Sequence, residues 1–180
     1  EEADFHLDVG VLGAKALLNA LSENGYPEVA YKVAVQDTYP SWGWWIVNGA
    51  TTLLENWDLD AERDISDNHM MFGEIGAWFF KGLGGIYPDS DQPGFKHIIL
   101  RPHFEKDLEQ FRADFKSPYG TIVSDWKWED DIVIYNVVIP ANSNATFYLP
   151  ENSEIKGVDT KGFDKIDLDS GSYTFKIIRY

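Results

Sequence analysis

The residues best suited to chemistry lie in the segment 39–58, which holds four of the seven tryptophans of the chain. If residues 44–57 form one helix, Trp44, Asn48, Thr51 and Glu55 align along one face of it. A flat ring, short polar groups and one carboxylate suit the wall of a polar cleft. Sugars fit such a wall, because their C–H faces stack on rings and their hydroxyls need hydrogen-bond partners. The alternative is a Glu55 at a helix end, solvated or paired with a lysine.

Composition limits the class of protein and its partners. The 180 residues are enough for one or two domains, and 44% hydrophobic residues can supply packed cores. The formal charge of −15 disfavours nucleic acids and anionic membrane surfaces as partners. There is no cysteine, which excludes disulfides and thiolate metal sites. The sequence has no apolar run of about 18 residues, so we expect no transmembrane helix, and its first residues do not resemble a signal peptide.

Helical spacing dominates the first half of the chain. We expect a first helix at Val9–Leu21, capped by Asp8, and a second helix that begins at Pro27. A third helix is expected at 44–57, with Ser41 as its start. A fourth is expected at Met70–Leu83, after a cap within Ser66-Asp67-Asn68. In the third helix the apolar side consists of Ile46, Ala50, Leu53 and Trp57. These faces are broad for a free-standing bundle, which indicates part of a larger helical array.

After the loop 87–94 the spacing of the apolar residues changes from helical to alternating. This change predicts two domains, at 1–88 and 89–180. Short strands with regular turns between them favour an antiparallel β-sandwich. Trp126 and Trp128 share one strand face, as a small sugar platform or, the favoured interpretation, as packing in the core or at a domain interface. The expected strands are His97–Arg101, Leu108–Lys116, Thr121–Glu129, Ile132–Ile139, Ala145–Leu149 and Tyr173–Ile178.

Metal binding is not expected. The histidines His6, His97 and His103 have no clustered spacing with acids, and we interpret them as structural. An acidic loop could attract calcium but lacks the spacing of a dedicated binding loop, so we expect it to be solvated. Its acids are Asp58, Asp60, Glu62 and Asp64.

Several motifs in order resemble bacterial α-L-rhamnosidases. In the first half they are YPSWG (39–43), GATTLLENWD (49–58) and SDNHMMFG (66–73), preceded by the stretch 6–21. In the second half PGFKHIILRP (93–102), SPYG (117–120) and IPAN (139–142) resemble the C-terminal β-sandwich of that family. The resemblance implies an inverting glycoside hydrolase built on an (α/α)6 barrel. This chain would supply the last helices of the barrel and the sandwich.

The resemblance also implies roles for individual residues. Glu55 matches the position of the general base, and the Asn68-His69 pair matches the motif whose histidine lies in the sugar site. Trp44 could stack on a sugar ring. The general acid of the family belongs to an upstream motif that these residues do not contain.

The expected partners are a rhamnose-containing glycan or glycoside and the remainder of the barrel, with no cofactor. We expect the 180-residue chain alone to be inactive. Two rival interpretations are a carbohydrate-binding sandwich on a helical scaffold and a purely structural sandwich. A periplasmic or secreted location is favoured over a cytoplasmic one.

Overall fold

The structure, a computed structural model, describes residues 4–7, 9–60, 66–158 and 164–179. The chain divides into two compact units, Glu1–Trp78 and Phe79–Tyr180. The first contains the described α-helices and the second contains all the described strands, so the predicted order of a helical part and a β part is confirmed. The boundary expected after residue 88 lies later in the chain than this division. None of the described helices is long and apolar enough to cross a membrane.

The second helix starts at the predicted proline, whereas the first starts two residues later than expected, with Gly10 as its N-cap. Helix α1 spans Val11–Glu23 and helix α2 spans Pro27–Ala34, with the proline at the first turn. Helix α1 ends at Glu23, with Asn24 as its C-cap, because Gly25 takes a φ of +85°, a conformation that other residues rarely adopt. The predicted cap Asp8 lies outside the described residues.

The third helix is much shorter than the spacing predicts, and the expectation of a helix to Trp57 is wrong. Helix α3 spans Trp42–Val47, and the hydroxyl of its predicted cap Ser41 accepts from the Trp44 amide at 2.9 Å. The helix stops because Gly49 takes a φ of +88°. The amide of Gly49 donates to the Ile46 carbonyl at 3.0 Å, and the next amide donates to the Trp45 carbonyl at 2.9 Å. This pair of bonds is the Schellman motif, which closes helices.

The early end of α3 overturns both predicted faces. Residues 50–60 contain no helix, so Trp44 and Glu55 do not share a helical face. Ile46, expected in the core, is 71% exposed. Periodicity alone could not detect this stop, because the apolar spacing continues through a glycine that reverses the chain.

The fourth helical segment lies where it is predicted, with three hydrogen-bonding patterns along its length. A 3-10 turn spans Met70–Gly73, helix α4 spans Glu74–Trp78, and a π-turn spans Phe79–Leu83. Its N-cap is His69, whereas we expected a cap within Ser66-Asp67-Asn68. The imidazole competes successfully because its Nδ1 accepts from the Met71 amide two residues later.

Within the residues that the structure describes, the second unit contains nine strands. All six predicted strands are present within two residues of their expected ends. The three that we did not predict, β1, β7 and β8, have only three or four residues each. The strands are β1 Ile86–Pro88, β2 His97–Leu100, β3 Gln110–Ser117, β4 Gly120–Glu129, β5 Ile132–Ile139, β6 Asn144–Tyr148, β7 Ser153–Ile155, β8 Lys165–Leu168 and β9 Gly171–Arg179.

These strands form two sheets that share one core. The sheet orders are β1-β2-β6-β8 and β3-β4-β5-β9-β7, and all neighbours are antiparallel except the parallel pair β2–β6. Buried residues of both sheets, including Phe147 and Tyr135, belong to one hydrophobic cluster. Strand β5 lies in the middle of its sheet, which explains why it is apolar on both faces.

Side chains of strand β4 hold the backbone that precedes β1. The indole N–H of Trp126 donates to the Leu83 carbonyl at 2.9 Å, and the hydroxyl of Ser124 donates to the Gly84 carbonyl at 2.6 Å. Trp126 is completely buried, and Trp128 is half-buried with its indole N–H donating to the Glu105 carbonyl at 3.0 Å. The interpretation of Trp126 and Trp128 as core is therefore confirmed, and the sugar platform is not formed.

Candidate active-site segment

A buried aromatic cluster fixes the segments that contain the predicted site residues. We define it as Trp42, Trp45, Trp57 and Phe72, each at most 7% exposed. The Trp57 ring lies 4.6 Å from the Trp45 ring and 4.3 Å from the Phe72 ring, centroid to centroid. The indoles of Trp42 and Trp45 donate to the carbonyls of Phe72 and Trp57, at 3.0 and 3.2 Å. Glu55 precedes Trp57 by two residues and His69 precedes Phe72 by three, so the cluster anchors both neighbourhoods.

Two stretches of backbone, residues 52–55 and 66–69, lie side by side and are called the paired segments below. The amide of Glu55 donates to the Ser66 carbonyl at 3.0 Å, and the amide of His69 donates to the Leu53 carbonyl at 2.6 Å. The hydroxyl of Thr52 donates to the carbonyl of Asp67. The paired segments thus place Glu55, Asn68 and His69 on adjacent stretches of backbone, although ten residues of sequence separate Glu55 from Ser66.

The carboxylate of Glu55 is held by the opposite segment. Its Oε2 accepts from the Ser66 amide at 2.8 Å, and the residue is half-buried. Among the described residues, Oε1 has no hydrogen-bond partner and no lysine pairs with the carboxylate. A carboxylate oriented in this way keeps one oxygen available for a ligand or a water molecule.

The imidazole of His69 is half-buried, and its Nδ1 accepts from the Met71 amide at 3.4 Å. A nitrogen that accepts from an N–H has no proton of its own, so the neutral ring bears its proton on Nε2. His69 can therefore donate from Nε2 to a ligand. Asn68 is exposed, and its main-chain N–H donates to the Ser66 hydroxyl at 3.2 Å. Because the side-chain carboxamide takes no part in this bond, it stays accessible.

Trp44 lies on α3, apart from the paired segments in sequence. Its half-buried ring meets the Tyr39 ring edge to face at 6.0 Å between centroids. Its indole nitrogen is buried and has no hydrogen-bond partner among the described residues. No ring contact or hydrogen bond between described residues joins Trp44 to Glu55 or His69.

Two residues of the site escaped the sequence analysis. Ser66 contributes its main-chain amide, which no side-chain pattern can reveal, and Thr52 contributes a hydroxyl bond across the paired segments. The only available signal was that Thr52 lies three residues before Glu55 within the GATTLLENWD motif.

The remaining titratable candidates have structural partners. His97 lies between Asn144 and Thr146, at 2.6 and 3.1 Å, and His103 pairs with the buried Glu105 at 3.1 Å. In the acidic loop, the Asp58 carboxylate caps a local turn by accepting from the Asp60 amide at 3.1 Å. Glu62 and Asp64 lie outside the described residues. The part of the chain that the structure describes contains no group of three metal-ligating side chains.

Comparison with known proteins identifies the family. Residues 1–83 match the bacterial alpha-L-rhamnosidase 6 hairpin glycosidase domain, and residues 85–164 match the bacterial alpha-L-rhamnosidase C-terminal domain. An alpha-L-rhamnosidase of Formosa agariphila is 35% identical over 170 residues, which cover 90% of this chain and 18% of that protein.

Solved structures agree with the sequence matches. The alpha-L-rhamnosidase from Dictyoglumus thermophilum superposes with a TM-score of 0.88 at 32% identity, covering 99% of this chain and 22% of that one. The Streptomyces avermitilis alpha-L-rhamnosidase complexed with L-rhamnose gives a TM-score of 0.83 at 28% identity, covering 97% and 18%. This chain, which spans about a fifth of these relatives, therefore belongs to the bacterial alpha-L-rhamnosidase family and corresponds to a C-terminal part of its members.

Proposed function

We propose that this chain is part of an inverting glycoside hydrolase that removes terminal α-L-rhamnosyl residues from glycans or glycosides, with Glu55 as its general base. The observation that carries this proposal is the orientation of the carboxylate, whose Oε2 accepts from the Ser66 amide while Oε1 has no partner among the described residues. The L-rhamnose complex of the Streptomyces avermitilis relative supports the choice of sugar.

The chemistry follows from the two carboxylate oxygens. In an inverting hydrolase a water molecule attacks the anomeric carbon while a carboxylate removes its proton, and a second carboxyl group protonates the leaving oxygen. The two carboxyl groups stand about 6.5–9.5 Å apart, which leaves room for that water. Glu55 is suited to the first role, because one oxygen is fixed by the backbone and the other can receive the proton. The acid partner belongs to the remainder of the barrel.

Three further residues complete the proposed sugar site. His69 donates from Nε2 to a sugar hydroxyl, since its Nδ1 is engaged by the Met71 amide. Asn68 offers an exposed carboxamide beside it, which can both donate and accept. Trp44 supplies a ring face for the C–H surface of the sugar, a role that needs the half-exposed ring rather than its buried nitrogen.

The proposal is tested by Glu55→Gln in the full-length enzyme that contains this chain. We expect kcat to fall by about 10²–10⁴-fold, because the amide cannot take a proton from water. Glu74→Gln is the matched control, since Glu74 is also half-buried in the helical unit but accepts from Asn19 at 2.9 Å. Its kcat should stay near wild type.

The stereochemical outcome gives an independent check. Proton NMR of the first product of the wild-type enzyme should show β-L-rhamnose, and azide, which needs no deprotonation, should partly restore turnover of an activated rhamnoside by the glutamine variant. First-formed α-L-rhamnose, or full activity of Glu55→Gln, would refute the proposal.

A further inference from the structure

Thr52 is the second residue whose side chain bridges the paired segments, and neither the motif nor the proposed mechanism gives it a role. Its hydroxyl donates to the Asp67 carbonyl. The residue before Asp67 is Ser66, whose amide holds the Glu55 carboxylate at 2.8 Å. We propose that Thr52 is a positioning residue, which fixes the Ser66–Asp67 backbone so that its amide orients Glu55. The inference rests on the proposed role of Glu55 as the general base.

The bond pattern shows why one hydroxyl can matter. The main-chain bonds across the paired segments join Glu55 to Ser66 and His69 to Leu53, at the two ends of the segment 66–69. Between these ends, the Thr52 hydroxyl is the bond that fixes Asp67. Without it, the peptide plane between Asp67 and Asn68 can rotate, and the resulting shift of the neighbouring residue 66 moves the amide that is bound to Oε2. A displacement of about 1 Å at a reacting group can cost about 100-fold in rate.

The location of Thr52 argues against a role in packing alone. Thr52 and Asp67 are both exposed, and Thr52 is outside the buried aromatic cluster. Its loss should therefore cost little stability, comparable to the loss of any exposed hydroxyl bond. The chain offers such a bond for comparison, because the exposed Thr174 donates to the Asn136 side chain at 2.9 Å on the outer face of the sandwich.

The test uses the full-length enzyme with an aryl α-L-rhamnoside as the substrate. Thr52→Val keeps the shape and removes the hydroxyl, and we expect kcat to fall by about 10- to 100-fold with KM changed by less than about threefold. Thr52→Ser restores the hydroxyl and should return kcat to within about threefold of wild type. Thr174→Val, the matched control, should lower the unfolding temperature as much as Thr52→Val but leave kcat unchanged. If valine perturbs folding, Thr52→Ala repeats the measurement.

A double variant separates positioning from general damage. If Thr52 acts through Glu55, the variant Glu55→Gln/Thr52→Val should be as slow as Glu55→Gln alone, because the group being positioned is gone. Two results would overturn the inference and leave the proposed role of Glu55 intact. One is a wild-type kcat in Thr52→Val. The other is a double variant whose kcat lies below that of Glu55→Gln by the same factor by which Thr52→Val lowers the kcat of the wild type. Full activity of Glu55→Gln would instead overturn the proposed function.

Discussion

His69 combines a structural and a proposed binding role because its two ring nitrogens have different partners. Nδ1 accepts from the Met71 amide and starts the 3-10 turn, while Nε2 bears the proton that a ligand can receive. The two roles depend on each other, because the bond that engages Nδ1 is also what leaves the ring proton on Nε2. The cap and the sugar contact are therefore compatible interpretations of this residue, rather than alternatives.

Tyr135 is the buried side chain of the sandwich with the clearest response to pH. Burial raises its pKa above the ordinary value for a tyrosine, with a smaller opposing effect of the hydrogen bond to Ser124. The unfolded chain ionises this phenol near pH 10, but the folded chain keeps it neutral. Its contribution to stability is therefore complete below about pH 10 and is lost as the pH rises further, by at most about 1.4 kcal/mol per pH unit.

Denaturant unfolding between pH 8 and about pH 11 checks this expectation. The unfolding free energy of Tyr135→Phe should fall less at alkaline pH than that of the wild type, because phenylalanine cannot ionise. The difference between the two is the contribution of the Tyr135 phenol. Tyr119→Phe is the matched control, since Tyr119 is 40% exposed and should leave the slope unchanged. Equal slopes for Tyr135→Phe and wild type would contradict the assignment.

At the scale of elements, the glycine that ends α3 decides where the Glu55 segment begins. Gly49 has a φ of +88°, so Gly49→Ala should destabilise the helical unit by about 1 kcal/mol. Gly76 lies within α4 with an ordinary φ, is exposed, and has open space where a Cβ would lie. Gly76→Ala should therefore be neutral or stabilising by up to about 1 kcal/mol. Thermal unfolding of both variants provides the comparison, and equal shifts would refute the account of the helix stop.

The sequence predicts elements well where one signal dominates. Pro27 starts α2, Ser41 caps α3, and the turn Asp130-Asp131 separates β4 from β5 as expected. It fails where a short-range signal competes with periodicity, as at Gly49. It also misses strands such as β7, whose three residues are too few for an alternating pattern.

The candidate site was predictable only in part. The motifs point to Glu55 and His69, but the contacts that hold them use main-chain groups of Ser66 and Leu53. Side-chain identity contains little information about such contacts. The Thr52 hydroxyl is the one side-chain contribution that a closer analysis of the motif could have singled out.

At the scale of the molecule, the helical unit exposes several large apolar side chains, among them Leu12 at 76%, Ile46 at 71% and Met70 at 85%. Exposed apolar surface of this kind usually has a partner. We propose that the remainder of the barrel covers it, in keeping with the match of residues 1–83 to the 6 hairpin glycosidase domain.

The purified 180-residue chain should therefore not hydrolyse an aryl α-L-rhamnoside. It lacks the proposed acid partner, which is typically worth about 10²–10⁴-fold, and most of the pocket walls. Release of the aryl group is measured beside the full-length enzyme as a positive control, and circular dichroism verifies that the chain is folded. Clear turnover by the folded chain would show that the catalytic set is complete within these residues.

The strand order leaves little of either sheet open to pairing with a foreign chain. Three of the four outermost described strands, β1, β7 and β8, have three or four residues, and β1 ends at Pro88, which has no N–H to offer. The remaining one, β3, is long but alternates exposed charges at Arg112, Asp114 and Lys116. Short, proline-ended or charged borders oppose strand addition between molecules. The sandwich thus limits its own tendency to form fibrils or aggregates.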